Sequence, residues 1–425
     1  MLWFTSEKSS TRGFRRVLGL FSAFSLGLGS MIGSGIYISP GEAAVAGPFS
    51  LVAWTAVGFL IMPIALSFAR FGRKLTRTGG AYEYVKSSLG DFWGIITGIG
   101  FWLAYVVVIA TLGRALSRYA SFIIPIASET QWSIIIALSA IWTITIINLI
   151  GVRMGGLTNN ALTLIKLFPL VAFVALLTPH ISLNNLSVKG YVELDAISVA
   201  MSAALWAYLG FEAVNPPSEE MINPENNIPK GIVYSLLAVM ALYVLVTTAA
   251  LGSTPAEELA SSPAPLAYVM SKTYGRAVGN LMFLAATISI LGCLAATILP
   301  NARVAYALAR DGYLPRSLAK LNRFDVPSAS LVLQAVLASV LAILYGFVKL
   351  YLISDLTSLV PYLTVSLSLV VRDKSTLWRG VGALGVLASA YLVYSVLTVE
   401  FETLLGVLVI VILSAIAYAV ARARR

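Results

Sequence analysis

Two glycine-bearing stretches and one buried-looking lysine hold the groups able to do chemistry in this sequence. The first stretch, "GLGSMIGSGIYISPG" (27–41), has five glycines in fifteen residues. The second, "AALWAYLGFEAVNPPSEE" (203–220), carries Gly210 and, two residues on, Glu212. The lysine is Lys166, in the apolar run "TLIKLFPLVAF". None of this suits nucleophilic or metal chemistry. One cysteine, Cys293, excludes an internal disulfide, and one histidine, His180, excludes a His-cluster metal site. No GxxxxGK[ST] phosphate loop occurs, so ATP-driven work by this chain is unsupported. Glycine offers bare backbone instead. Unwinding a helix frees N–H groups at the start of one half, which suit a carboxylate, and C=O groups at the end of the other, which suit an ammonium.

The elements that must position these groups are membrane helices. The chain has 425 residues, 58% hydrophobic and only 11% charged, with mean hydropathy +0.87. A soluble domain carries about 25% charged residues. The apolar runs exceed the ~20 residues that cross a bilayer as helix, and they do not alternate as barrel strands would. The reading is an all-α polytopic membrane protein. Twelve spans are expected: 17–38, 46–70, 92–124, 131–151, 160–179, 195–216, 230–253, 276–308, 328–346, 350–371, 377–397 and 403–421. The first is long and lacks a small-residue cleavage site, so it is expected to be retained. With the N-terminus inside, all 29 basic residues but Arg114, Arg118, Lys189, Lys272, Arg276 and Lys349 fall on the cytoplasmic side, which places both termini there. The +10 net charge then reflects topology and anionic lipid, with no nucleic acid implied.

Laid side by side, spans one and six explain the glycines. One is interrupted near Gly33 and the other near Gly210, and each opens a set of five spans. An odd repeat length inverts the second set relative to the first. Interrupted helices at matching positions of two halves point to a secondary transporter's midplane site, because an intact helix leaves no backbone group free for a polar solute. The expected organisation is a cytoplasmic tail (1–16), a first inverted repeat (17–179), a second (195–371), two further helices (377–421) and a basic tail (422–425). A plainer reading of Gly29 and Gly33 is small-xxx-small helix packing. Glu212, an acid inside a span, defaults to function, with a structural gate bonded to loop backbone as its alternative. For Lys166 the alternative is snorkelling to the cytoplasmic surface.

Four stretches also resemble the amino acid/polyamine/organocation (APC) superfamily. They are "GSMIGSGIYISPG", "WAYLGFEAV…SEEMINPENNIPKGI", "TGGAYEYV" (78–85) and "ARDGYLP" (309–315), in register from about residue 14 to 320 and closest in look to the L-type amino acid transporter branch. The resemblance implies a five-plus-five inverted-repeat fold with two further helices, carrying amino acids with neither ATP nor cofactor. It places the substrate carboxylate on N–H groups of Gly33, Ser34 and Gly35, and the amino group on carbonyls near Ile32 and of Trp206 and Leu209, beside the break at Gly210. Trp206 would close over the substrate from outside, unless it serves only packing. Tyr105 and Ile109 would line the side-chain pocket. Glu212 would serve gating or proton sensitivity. Lys166 would hold the place of a coupling sodium, contacting span one around Gly29, and it could also carry a proton.

The expected function is therefore sodium-independent transport of neutral amino acids across the cell membrane, by proton symport or by exchange. Cationic amino acid or polyamine antiport is the alternative, and a transporter-like sensor is the different-class one. An enzyme would need clustered nucleophiles or metal ligands, which are missing. The partners implied are the amino acid, protons and the lipid bilayer. Arg114 and Arg118 are expected to snorkel at the outer interface, and Glu219, Glu220 and Glu225 to lie in a solvated inner loop.

Overall fold

A computed structural model describes residues 16–74, 80–150, 156–188, 192–215 and 218–423. Most of the expected tail 1–16, the start of "TGGAYEYV" and the last two basic residues lie outside them. The first span is two helices, α1 (Leu20–Met31) and α2 (Ser34–Ala43), bent by 43° at Ile32 and Gly33. Next come α3 (Phe49–Lys74), a short α4 (Ala81–Leu89), α5 (Asp91–Ala120), α6 (Thr130–Leu149) and α7 (Gly156–Leu177). After a four-residue α8 (Leu183–Leu186), α9 (Leu194–Tyr208) ends at Leu209 and Gly210, and a 3₁₀ turn continues its span over Phe211–Val214. The rest is α10 (Pro224–Ser253), α11 (Ala256–Ser261), α12 (Pro265–Tyr274), α13 (Arg276–Arg310), α14 (Ser328–Leu344), α15 (Phe347–Arg372), α16 (Thr376–Val399) and α17 (Leu404–Ala423).

Among the described residues, ten helices are long and apolar enough to cross a membrane. The bent α1–α2 pair adds one span, and the 17-residue α14 is a shorter apolar helix. These coincide with the twelve expected spans. Large apolar side chains cover the outside, with Phe168 75% exposed and Leu387 66%. Such a surface suits hydrocarbon and not water. This is an all-α polytopic membrane protein. The short helices α4, α11 and α12, absent from the expected spans, sit between spans and pack beside α5, α2 and α13 respectively. α5 is the hub, packed by α4, α6, α13, α14, α15 and α17.

Polar ties close both ends. At one end Asp373 takes Arg70 (2.8 Å) and Lys74 (2.6 Å), and Asp311 takes Lys86 (3.0 Å) and the Tyr82 hydroxyl (2.7 Å). The loop after span six is less free than expected. Leu18 and Met221 form a parallel bridge, Val17 N–H donates to the Glu220 carbonyl (2.9 Å), and Met221 is fully buried. A chain segment entering α1 thus satisfies its backbone on the segment leaving span six. Glu225 does lie exposed. At the other end the expected snorkelling of Arg114 and Arg118 is corrected. Arg118 pairs with Glu42, and Arg114 donates to Ser133 Oγ (2.8 Å) and the Tyr345 carbonyl (3.1 Å). Partners on neighbouring elements outcompete the interface for long guanidinium arms.

Candidate functional site

The two interruptions face each other. Gly210 has φ +119°, a conformation that L side chains rarely adopt, and a Cβ there would lie 2.9 Å from the Ser30 carbonyl carbon and oxygen. Gly35 meets α9 just as closely, since its Cβ would fall 2.5 Å from Ala207 Cα. Glycine at both positions lets backbone touch backbone. Between the breaks lies a cavity of about 60 Å³. One water needs ~10–15 Å³ on the same measure, so the space suits a few waters or a small zwitterion.

The walls follow helix periodicity. Gly33, Ser34 and Gly35 contribute from the start of α2; Trp206, Leu209 and Gly210 from the end of α9. The first N–H groups of a helix and its last C=O groups lack intrahelical partners, although here Gly33 N–H already donates to the Met31 carbonyl (2.9 Å) and the Gly210 carbonyl accepts from Ala213 N–H (3.0 Å). The cavity is therefore bordered by the positive end of α2 and the negative end of α9. Trp206 Nε1 donates to Ser34 Oγ (3.2 Å), tying the two ends together. Apolar side chains make up most of the remainder. From α5 these are Phe101, Tyr105, Val108 and Leu112, one stripe at i, i+4, i+7 and i+11.

The carbonyls at the end of the first break are held by side chains from three other helices. Lys166 Nζ on α7 donates to the Gly29 carbonyl (2.9 Å), and Thr163 Oγ1 to that of Ser25 (3.1 Å). Tyr243 Oη on α10 donates to the Met31 carbonyl (2.7 Å). Ser289 Oγ on α13 donates to that of Ile32 (3.0 Å), and Cys293 Sγ contacts that of Ser30 (3.4 Å). The second break is held by Glu212, which is 2% exposed. Its Oε2 accepts from Gly210 N–H (3.1 Å) and Tyr362 Oη (2.9 Å), and its Oε1 from Tyr105 Oη (2.8 Å).

Of the residues singled out in the sequence, Gly33, Ser34, Gly35, Tyr105, Trp206, Leu209, Gly210 and Glu212 border the cavity. Ile109 does not. It is fully buried elsewhere, and Val108 and Leu112 line the cavity instead, because 3.6 residues per turn carry the facing stripe one position short of i+4. Nor does Ile32, whose carbonyl is taken by Ser289. Gly29 and Lys166 lie behind the cavity and contact each other. Lys166, 4% exposed, does not snorkel. Sequence reasoning missed Tyr243, Ser289 and Tyr362. Each is a hydroxyl within an apolar span, a signal too common to single out, since which face turns inward is set by packing.

Comparison with known proteins agrees with this architecture. The family described as "Amino acid permease" matches residues 18–421. The branched-chain amino acid permease BcaP of Bacillus subtilis is 24% identical over 384 residues, covering 86% of this chain and 83% of its own length. The methylthioribose transporter of the same organism is 26% identical over 87% of this chain and 84% of its own. An uncharacterized protein of Methanocaldococcus jannaschii reaches 30% over 83% of this chain and 81% of its own.

Proposed function

The chain belongs to the amino acid permease family, and on that premise we propose that it carries neutral amino acids across the cell membrane by alternating access, without sodium. One observation carries the reading: the N–H end of α2 and the C=O end of α9 border one small, mostly apolar cavity. The two poles match the two charges of a zwitterion. The walls favour an apolar side chain, since Glu212, among the described residues the one charged side chain lining the cavity, already has three donors. The name of the branched-chain permease relative is in keeping with this.

Lys166 supports sodium independence. Its ammonium holds the Gly29 carbonyl, so a positive charge already occupies the space that a second cation would need.

The helix contacts support an inverted repeat of spans one to five and six to ten. The contact of α1 with α10 has its counterpart in that of α9 with α3, and α5 with α15 in α13 with α7. Likewise α5 with α14 is mirrored by α13 with α6, and α1 with α7 by α9 with α15. Transport would then rock α1–α2, α3, α9 and α10 against α5, α6, α13 and α14, with both termini in the cytoplasm.

The test is reconstitution of the full chain in liposomes with labelled amino acids, each with and without sodium, a pH gradient and preloaded substrate. Methylthioribose and a cationic amino acid belong in the panel. Saturable flux of a neutral amino acid in sodium-free buffer is expected. Uptake confined to preloaded vesicles means exchange, and uptake raised by an inward proton gradient means symport. Sodium-dependent flux, flux of cations alone, or binding with no flux would overturn the reading.

A further inference from the structure

One buried carboxyl has no place in the site described above. Asp355 on α15 is fully buried, and neither of its oxygens has a hydrogen-bond partner among the described residues. The Tyr351 hydroxyl and Ser354 Oγ beside it are also buried and unpartnered. Tyr351, Asp355, Ser358 and Tyr362 fall at i, i+4, i+7 and i+11, a single face of α15. Both ends of this polar stripe are anchored. Ser358 borders the cavity, and Tyr362 donates to Glu212 (2.9 Å). At the far end the ring of Tyr351 lies 5.5 Å from that of Phe347, which sits 5.4 Å beneath the guanidinium of Arg118, the partner of Glu42. Asp355 therefore stands between an ion pair at one membrane face and the cavity, about 10 Å along the helix from Tyr362 at ~1.5 Å per residue.

The contrast with Glu212 fixes the chemistry. Three donors surround Glu212 and offset part of the cost of taking its carboxyl out of water. Asp355 has none. A bare charge in such a place costs several kcal/mol, so the group either holds a proton or recruits a cation. Among the described residues no hydrogen bond joins Asp355 to a cation, and Lys349, at the start of its own helix, is paired with Glu402. On its own helix Asp355 is within electrostatic reach of Tyr351 and Tyr362. From the packed elements, Tyr105 and Arg118 come from α5, Glu42 from α2 and Glu212 from beyond α9. Arg118 is committed to Glu42, and Tyr105 to Glu212. Tyr208 on α9 donates to the Trp54 carbonyl, and Tyr391 on α16 contacts Met201 Sδ. The basic groups of α3 and α4 lie at the opposite end: Arg70 and Lys74 pair with Asp373, Lys86 pairs with Asp311, and Arg73 sits in the last turn of α3 beside Lys74.

We propose that Asp355 is the proton-carrying group of this transporter, separate from the Glu212 network. This deepens the transport reading and rests on it. The carboxylate takes one proton from the outer solution, travels neutral with the bound amino acid, and releases that proton to the inner solution before the empty carrier returns. One O–H bond forms and the same one breaks, so one proton enters with each amino acid.

The test compares wild type with Asp355→Asn, an isostere of the neutral acid, in liposomes containing a pH-sensitive dye. A gradient of one pH unit stores ~1.4 kcal/mol per proton, enough for about tenfold accumulation at one-to-one coupling. Wild type is expected to approach that ratio and to acidify the lumen as amino acid enters. Asp355→Asn should keep counterflow at equal pH, with no accumulation and no acidification. Should the variant not fold, dicyclohexylcarbodiimide on wild type substitutes, because it modifies protonated carboxyls in apolar surroundings. Mass spectrometry should then find the adduct on Asp355 and not on Glu212, with uphill uptake blocked. The proposal fails if Asp355→Asn still accumulates substrate, if wild-type counterflow ignores the pH gradient, if Asp355 takes no adduct, or if the variant loses only cationic substrates. Absence of any flux in wild type would instead remove the transport reading beneath it.

Discussion

The two helix breaks that meet at the cavity are built in opposite ways. At the first, Ile32 and Gly33 keep negative φ values, and the exposed carbonyls are held from outside by Lys166, Tyr243, Ser289 and Cys293, on α7, α10 and α13. At the second, the backbone turns through Gly210 at φ +119°, and Glu212, two residues away, folds back onto Gly210 N–H. The first break is a property of its neighbours; the second is largely written into its own few residues. A neighbour-held break can respond when another helix moves, whereas a self-held one moves as a unit. That asymmetry suits a carrier in which one set of helices shifts against another.

Gly210→Ala should do the most damage to this arrangement. A side chain in that backbone region costs ~1–3 kcal/mol, and its Cβ would also press on the Ser30 carbonyl. Uptake in liposomes is expected to fall at least about tenfold, following the ~1.4 kcal/mol per decade rule. Near-normal flux would show that the second break is not self-held.

Lys166→Ala attacks the first break through its neighbours. It leaves the Gly29 carbonyl without its donor at a cost of ~1–3 kcal/mol and removes the charge proposed to stand in for sodium. Sodium-free uptake is expected to be lost while the purified protein still elutes as a folded species. Full sodium-free uptake by this variant would defeat the idea.

Tyr362→Phe takes one donor from Glu212, and a hydrogen bond to a charged group is worth ~1.5–3 kcal/mol. A lower melting temperature and several-fold slower uptake are expected. Combined with Tyr105→Phe the losses should be non-additive, since both hydroxyls serve one carboxylate.

The smallest effect comes from acid acting away from both breaks. Hydrogen bonds from Arg70, and then Lys74, hold the Asp373 carboxyl well below the usual carboxylate range despite its burial. Its folded pKa lies below the unfolded one, so its contribution is complete above about pH 4 and disappears as pH falls through the lower folded value. Asp373→Asn should therefore flatten the acid side of a melting-temperature profile and leave neutral-pH counterflow intact. A profile as steep as wild type would assign acid sensitivity to other carboxyls.

Much of this was legible in the residues. The run lengths gave twelve spans because a bilayer needs ~20 apolar residues per helix, and a glycine cluster at one break and Gly210 at the other marked both because backbone freedom is local. Glu212 stood out because an acid inside an apolar span is rare. Rotational phase was not legible. Ile109 and Val108 are equally apolar neighbours, and only the packing of α5 against α13 and α15 turns Val108 to the cavity. Asp355 is as visible in the sequence as Glu212, yet without a neighbouring glycine break nothing in span ten told whether its carboxyl would be bonded or bare.

By itself, then, the sequence determined what depends on local chemistry: membrane helices from hydrophobicity and interruptions from glycine. The tertiary structure decided what depends on long-range contact. It chose which helix face turns inward, and it satisfied the first break's carbonyls with side chains up to 263 positions away. It also surrounded Glu212 with three donors and left Asp355 with none among the described residues. Hydrogen bonds and burial are relations between distant segments, and no window of neighbouring residues contains them.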